Sequence, residues 1–283
     1  MADILTPSDL LVAAKNRHMR IFRKKTGTME AVGVWHSMMY VAAIPRAGAA
    51  NAAGMSGATC TGALQGAMRF IDVTGGKTGF FLGMDFAPGN LTASSRFMFI
   101  DRLWHNSGLA NTTLTAQTVN SVTLPARDNN GTTNGEGVGV ALEISATMGN
   151  GAAITTITLS YTNSDGVSGR TATIDARAVT PGGFPASATA GSFIPFTLQA
   201  GDKGVRSIQS ITLGTSLVSG TAHLVMYRMI YERTYASVGT LYKVDPQTNG
   251  LVKRYSGTCG QVLIVAPSTG NSTIMGAVYA GEF

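Results

Sequence analysis

Residues 153–174, AITTITLSYTNSDGVSGRTATI, carry the pattern that decides the fold class. Ile157, Leu159 and Tyr161 alternate with hydroxyl-bearing residues, which is the two-residue period of a strand with one buried face. Asp165–Gly166 is a favoured turn pair, and the segment RTATI then returns in the opposite direction. The stretch therefore predicts an antiparallel hairpin.

The same type of segment recurs along the chain. Aromatic and β-branched runs lie between Gly, Asn and Pro residues, with no helical stretch between them. These runs predict an all-β fold with an antiparallel β-sandwich or jelly-roll-like body. Residues 240–257, TLYKVDPQTNGLVKRYSG, predict a further hairpin that turns near Asn249. The clearest runs are FFLGMDF, RFMFIDRLW, GVRSIQSITLGTS, GTAHLVMYRMIYERTY and GQVLIVAP.

The N-terminal segment TPSDLLVAAKNRHMRIFRKKTG, residues 6–27, predicts one basic helix. Thr6 is a good N-cap, Pro7 suits the first helical position, and Asp9 stands where a capping-box acid belongs. Apolar residues then recur at helical spacing, and Gly27 is expected to end the helix.

The net charge of +6 is concentrated in this segment. Six basic residues lie within it, and the remaining 15 basic residues equal the 15 acidic ones. We expect the segment to dock onto an acidic protein surface or nucleic acid. A solvated face of a helix that packs on its own domain is the alternative. The candidate partner-binding residues are Lys15, Arg17, Arg20, Arg23, Lys24 and Lys25.

Composition divides the chain into four predicted segments. Residues 1–28 form the docking arm, and residues 29–66 are rich in Ala and Gly with almost no charge. The latter are expected to be extended or covered by a neighbouring subunit, with a helix as the alternative. Residues 67–234 would form the β-sandwich body, and residues 235–283 a β extension packed on it.

The nine residues DRLWHNSGL at 101–109 invite a catalytic interpretation, with His105 as base and Asp101 as its orienting partner. Strand alternation sends Asp101 and Arg102 to opposite faces, however, so a buried strand followed by a turn is expected.

Other catalytic and cofactor motifs are also weak. GGKTG at 75–79 lacks the earlier glycine of a phosphate-binding loop, and the four histidines have no partners at metal-ligand spacing. The sequence predicts no enzyme activity, no cofactor and no metal.

The two cysteines, Cys60 and Cys259, are far apart in the sequence. They could pair, or remain reduced as in cytoplasmic proteins. No signal peptide and no apolar run of about 20 residues is present, which predicts synthesis in the cytoplasm and no membrane association.

Several blocks together resemble a family of tailed-phage and prophage virion structural proteins, over most of the chain. The resemblance is carried by AVGVWHSMMYVAAIPRAGA, FIDRLWHNSGL, TTLTAQTVNS, EGVGVALEI, LSYTNSDGVSGRTATI and LQAGDKGVRSIQSITL. It implies a virion component that is present in many copies and has no catalytic residues to carry over.

Within that family we expect a capsid decoration (cement) protein on the virion surface. Its partners would be the major capsid protein and copies of itself, with a homotrimer favoured and no specific nucleic acid. A tail, neck/adaptor or baseplate component is the alternative, and a receptor- or glycan-binding virion protein is a third hypothesis.

Overall fold

A computed structural model describes residues 6–25, 33–89, 95–150, 154–174, 188–237, 239–265 and 273–283. Within them lie two short helices, α1 (Pro7–Lys15) and α2 (Pro246–Asn249), and many strands. The strands are β1 (His18–Lys25), β2 (Trp35–Ser37), β3 (Ala43–Ile44), β4 (Ala58–Thr59), β5 (Met68–Arg69), β6 (Gly79–Pro88), β7 (Ser95–His105), β8 (Gln117–Thr118), β9 (Val138–Ala146), β10 (Ile157–Asn163), β11 (Arg170–Ile174), β12 (Ser192–Pro195), β13 (Val205–Thr212), β14 (Thr221–Tyr235), β15 (Tyr242–Val244), β16 (Val252–Arg254), β17 (Cys259–Val265) and β18 (Thr273–Glu282).

Six of the strands close into a barrel. β7 pairs with β14 along one edge and with β17 along the other. The remaining pairings complete the ring β7–β14–β9–β12–β2–β17–β7, and all of them are antiparallel. All six strands contribute to one buried interior cluster, as expected for a small barrel filled by side chains. Its members are Met98, Ile100, Ala141, Phe193, Val225, Tyr227 and Leu263, with Trp35 packed against them.

Two further sheets cover the barrel on its outside. A six-stranded sheet packs on the wall formed by β7, β14 and β17. Its strand order is β15–β6–β18–β1–β3, and β16 also pairs with β6. Phe86 of this sheet stacks on Phe97 of β7 with 4.4 Å between the ring centroids. A four-stranded sheet, β11–β10–β13–β8, packs on the wall that includes β9. The molecule is therefore layered like a sandwich, but its middle layer is a closed barrel.

The all-β prediction and the hairpin at 153–174 are confirmed. β10 and β11 pair antiparallel, and the buried and half-buried residues of β10 alternate along its whole length. Gly166 has a φ of +84°, the left-handed conformation that this turn requires. Ile157, Leu159 and Tyr161 face the barrel wall, where they join the largest core cluster.

The predicted N-terminal helix is correct at its start and wrong at its end. Thr6 and Asp9 form a complete capping box, but α1 ends at Lys15. His18–Lys25 is instead strand β1, which pairs with β18 along its full length. Its alternating burial, with Phe22 and Lys24 inside, has the strand period, and the partner strand lies at the other end of the chain.

The sheets combine strands from different predicted segments. The barrel takes β2 from residues 29–66 and β17 from residues 235–283, and β18 is an inner strand of the six-stranded sheet. The predicted 240–257 hairpin is wrong as well. β15 and β16 lie one after the other along β6, joined by α2, and each pairs with β6.

Candidate functional site

The six predicted docking residues lie at the end of α1 and along β1, where they do not form one surface. Lys15 is the exposed last residue of α1, and Arg17 is exposed in the connection to β1. Within β1, Arg23 and Lys25 are exposed, whereas Arg20 is half-buried and Lys24 is buried. Because successive strand residues point to opposite faces, β1 divides the cluster into two groups.

The inward-facing group has structural partners within the chain. Lys24 is 2% exposed, and its Nζ donates to the carbonyl oxygens of Val41 at 2.9 Å and Pro45 at 2.5 Å. Burial lowers the pKa of Lys24 to about 8. Arg20 donates from Nε to the Arg69 carbonyl at 2.6 Å. These two residues tie β1 to neighbouring segments of the same chain.

The outward-facing group lies beside exposed apolar side chains. Met19 and Ile21 are 50% and 55% exposed on the same side of β1 as Arg23 and Lys25. Met275 of β18, which pairs with Arg23, is 43% exposed. We call these five residues the outer β1 face. Singly exposed apolar residues are common on proteins, but a contiguous group with positive charges beside it is typical of a docking surface.

Helix α1 borders this face. Ala13 of the helix is completely buried. The Ala13 carbonyl oxygen lies so close to Gly281 of β18 that a Cβ added to this glycine would be only 2.2 Å away. The Arg17 guanidinium lies 6.0 Å from the centroid of the Tyr279 ring. The Tyr279 hydroxyl donates to Asp85 at 2.6 Å. The helix is therefore packed on the six-stranded sheet.

The DRLWH stretch is buried and structural. Asp101 accepts from the Cys259 amide at 2.9 Å and lies 3.5 Å from Arg127 Nε, while Arg102 turns the other way into the barrel. The expectation that Asp101 and Arg102 point to opposite faces of the strand is confirmed by these partners. His105 and Asp101 do not share a hydrogen bond in the described contacts, and both are at least nine-tenths buried.

The barrel interior contains a polar network that the sequence did not reveal. Arg102 Nη1 donates to Glu143 Oε2 at 2.7 Å and to Gln261 Oε1 at 3.2 Å. Tyr40 donates to Glu143 Oε2 at 3.0 Å, and Gln261 donates to Ser37 at 2.5 Å. Burial alone would raise the pKa of Glu143, but Arg102 and the hydrogen bonds hold it below its usual value. The network is a buried ion pair with side chains that are 1% and 0% exposed, in which Arg102 Nε has no hydrogen-bond partner among the described residues.

The GGKTG loop is held by a carboxylate of the same chain. Glu282 accepts from the Thr74 amide at 2.9 Å, from its hydroxyl at 2.6 Å and from Lys77 Nζ at 3.3 Å. The cavity between this loop and residues 253–256 has a volume of about 270 Å³. Lys77, the positively charged residue of this loop, is therefore already paired with Glu282.

Two further findings concern metals and membranes. Among the described residues, no three His, Cys, Asp or Glu side chains are grouped so that they could hold a metal ion. Of the helices in the described ranges, none has the length and apolar character to cross a membrane.

Comparisons with known proteins do not identify a family for this chain. No protein-family model and no curated protein matches the chain. Among solved structures, the VP2 subviral particle of infectious bursal disease virus aligns with 94% of this chain and 81% of its own, at 10% identity and a TM-score of 0.19. The Gt strain structure of the same virus aligns with 95% and 82%, at 9% identity and a TM-score of 0.18. TM-scores this low carry no argument about fold or function.

Proposed function

We propose that this protein is a structural component of a tailed-phage particle. Within the particle, we assign it to the capsid surface as a decoration protein that binds and stabilises the shell of the major capsid protein. The sequence resemblance supports a place in the virion, and the layered β architecture is suited to a subunit that packs against neighbours.

One observation carries the proposal. The polar side chains of the DRLWH stretch and of the barrel network are buried in contacts with the chain itself, whereas the outer β1 face leaves apolar and basic groups exposed. Such a surface suits binding to a partner with apolar and acidic groups. A protein that binds the assembled shell and not its separated parts stabilises the shell by mass action.

Charge reversal on the outer β1 face tests the binding surface. Arg23→Glu combined with Lys25→Glu is expected to weaken binding to undecorated shells roughly tenfold at low salt, and less as salt rises. The matched control is Lys203→Glu with Arg206→Glu, which makes the same change of charge at exposed residues near the four-stranded sheet. Equal binding by both double variants would remove the outer β1 face as the anchor.

The copy number in purified particles tests the placement. A decoration protein follows the lattice of the shell and is present in many copies, whereas a tail, neck or baseplate component is limited to the ring that it joins. Quantitative mass spectrometry against the major capsid protein separates the two. A copy number set by a single ring would favour the tail or neck assignment and overturn the capsid one.

A further inference from the structure

Two buried thiols meet where two strands end on the same edge of β7. β4 pairs with the end of β7, and the Cys60 amide continues this ladder by donating to the Leu103 carbonyl at 2.8 Å. β17 begins at Cys259, and its pairing with β7 starts with Gly260 opposite Asp101. The two cysteines therefore occupy adjacent levels of one edge, although 198 residues separate them in the sequence.

The side chains of the two cysteines are in contact. Cys60 and Cys259 are 2% and 0% exposed and belong to one small buried cluster. Cys259 and His105 lie close enough to Cys60 to influence its pKa as hydrogen-bonding groups. Both cysteines are free thiols in this structure.

The backbone around the pair is fixed on both sides. The Gly62 amide donates to the Gly257 carbonyl at 3.1 Å, which joins the segment after Cys60 to the segment before Cys259. Arg127 donates from Nη2 to the Cys60 carbonyl at 2.6 Å and from Nη1 to the Gly257 carbonyl. One buried guanidinium thus bridges the two segments, which keeps the sulfur atoms together.

We infer that Cys60 and Cys259 form an oxidation site, at which an intramolecular disulfide closes when the chain meets a small-molecule disulfide. The bond would link the β4 end to the β17 start across the edge of β7, and it is independent of the proposed function. A disulfide needs two cysteines whose side chains already meet, and this junction supplies them.

The reaction is thiol–disulfide exchange with two successive attacks. During folding, as the two strands come together and before the pair is buried, the Cys60 thiolate attacks one sulfur atom of oxidised glutathione, which forms a mixed disulfide and expels one glutathione thiolate. Cys259 then loses its proton and attacks the Cys60 sulfur, which expels the second glutathione. Two protein thiols are oxidised, one glutathione disulfide is reduced to two thiols, and these carry away the two protons.

In the folded chain the local electrostatics favour Cys60 over Cys259 as the thiolate of the pair. Burial raises its pKa, but the hydrogen bonds from Cys259 and His105, with the nearby Arg102 charge, outweigh burial and place the pKa well below its usual value. The hydrogen bond to Cys60, followed by burial, holds the pKa of Cys259 well above its usual value. A thiolate beside a thiol is the arrangement that exchange requires.

The test is refolding in a buffer of oxidised and reduced glutathione, followed by alkylation in denaturant and mass spectrometry. We expect the wild type to lose both thiols, without glutathione adducts or covalent dimers, and to yield a peptide pair that joins Cys60 to Cys259. The melting temperature should exceed that of the reduced protein by about 5–15 °C, because the bond closes a long loop.

The control variants are Cys60→Ser and Cys259→Ser, each of which retains one thiol. Their melting temperatures should not depend on the glutathione redox ratio. Two alkylatable thiols in the oxidised wild type, separate glutathione adducts on each cysteine, or a dimer joined through one cysteine would each overturn the inference. Because the wild type alone decides these outcomes, poor folding of a variant would not obscure the result.

Discussion

Arg102 and Glu143 pair inside the closed barrel, with 2.7 Å between Nη1 and Oε2 and side chains that are 1% and 0% exposed. Gln261 contacts both members of the pair, donating to Glu143 Oε1 at 3.1 Å and accepting from Arg102. The three residues come from β7, β9 and β17, so the pair joins strands on different parts of the barrel wall. Because both charges are buried against each other, we expect the loss of either one to destabilise the protein.

Glu143→Gln is expected to lower the free energy of unfolding by about 3–5 kcal/mol, because it leaves the Arg102 charge buried without a counterion. Urea denaturation of the wild type and the variant measures this loss. The double variant Arg102→Met with Glu143→Leu should lose less free energy of unfolding than the sum of the losses in Arg102→Met alone and Glu143→Leu alone. The difference, which is the coupling energy of the pair, should be about 1–3 kcal/mol. A loss below 0.5 kcal/mol in Glu143→Gln would contradict a buried, charged pair.

The Trp104 side chain makes a second strict demand on the sequence. Its Nε1 donates to the Ser56 carbonyl at 3.0 Å, and the next residue, Gly57, has a φ of +70°. A Cβ at Gly57 would lie 2.4 Å from the His105 carbonyl oxygen and 2.5 Å from the Trp104 ring. Neither neighbour is the end of a flexible side chain, so the clash cannot be relieved cheaply.

Gly57→Ala should therefore destabilise the protein by about 3 kcal/mol or more, from the clash together with the strained φ. Gly54→Ala is the matched control, because Gly54 has a φ of +73° and nothing within 4 Å of the added Cβ. It should cost only about 1–2 kcal/mol for the left-handed conformation. Thermal unfolding of both variants isolates the clash, and equal melting temperatures would argue against the described packing of Trp104.

The sequence predicted the strands that have one polar face and missed the closure of the barrel. β10 alternates apolar and hydroxyl residues, so its period is visible without any partner. β7 has large apolar residues on both faces, and periodicity cannot distinguish a barrel interior from an outer wall. Closure depends on its pairing with β17, which lies more than 150 residues later in the chain.

The candidate site was only partly predictable for a related reason. His18 and Phe22 are four residues apart, a spacing that fits one helix face and equally one strand face. The deciding partner is β18, at the far end of the sequence. The same ambiguity concealed that Lys24 points inward while Arg23 and Lys25 point outward.

Lys24 and Lys25 are adjacent and have opposite expected roles. Lys24→Met leaves the Val41 and Pro45 carbonyls without their donor, and we expect a loss of about 1–3 kcal/mol in the free energy of unfolding. Lys25→Met, at an exposed position, should change stability by less than about 0.5 kcal/mol. Chemical denaturation measures both, and equal losses would contradict the inward orientation of Lys24.

His36 of β2 should make the protein sensitive to mild acid. It is 6% exposed, and burial lowers its pKa to about 4, against an opposing effect of the Glu143 charge. In the unfolded chain the pKa is about 6.5, so between these values the unfolded state binds a proton that the native state does not. Stability from this residue is therefore fully present above about pH 6.5 and falls as the pH drops towards 4.

The loss should total roughly 3 kcal/mol at pH 4, from a pKa difference of about 2.5. Because other groups also titrate in this range, the informative quantity is the stability of the wild type minus that of His36→Gln. We expect this difference to fall steadily from pH 7 to pH 4, as measured by urea denaturation at each pH. A difference that stays constant with pH would mean that His36 titrates alike in both states, and an NMR titration of the His36 ring would then give a pKa near 6.5.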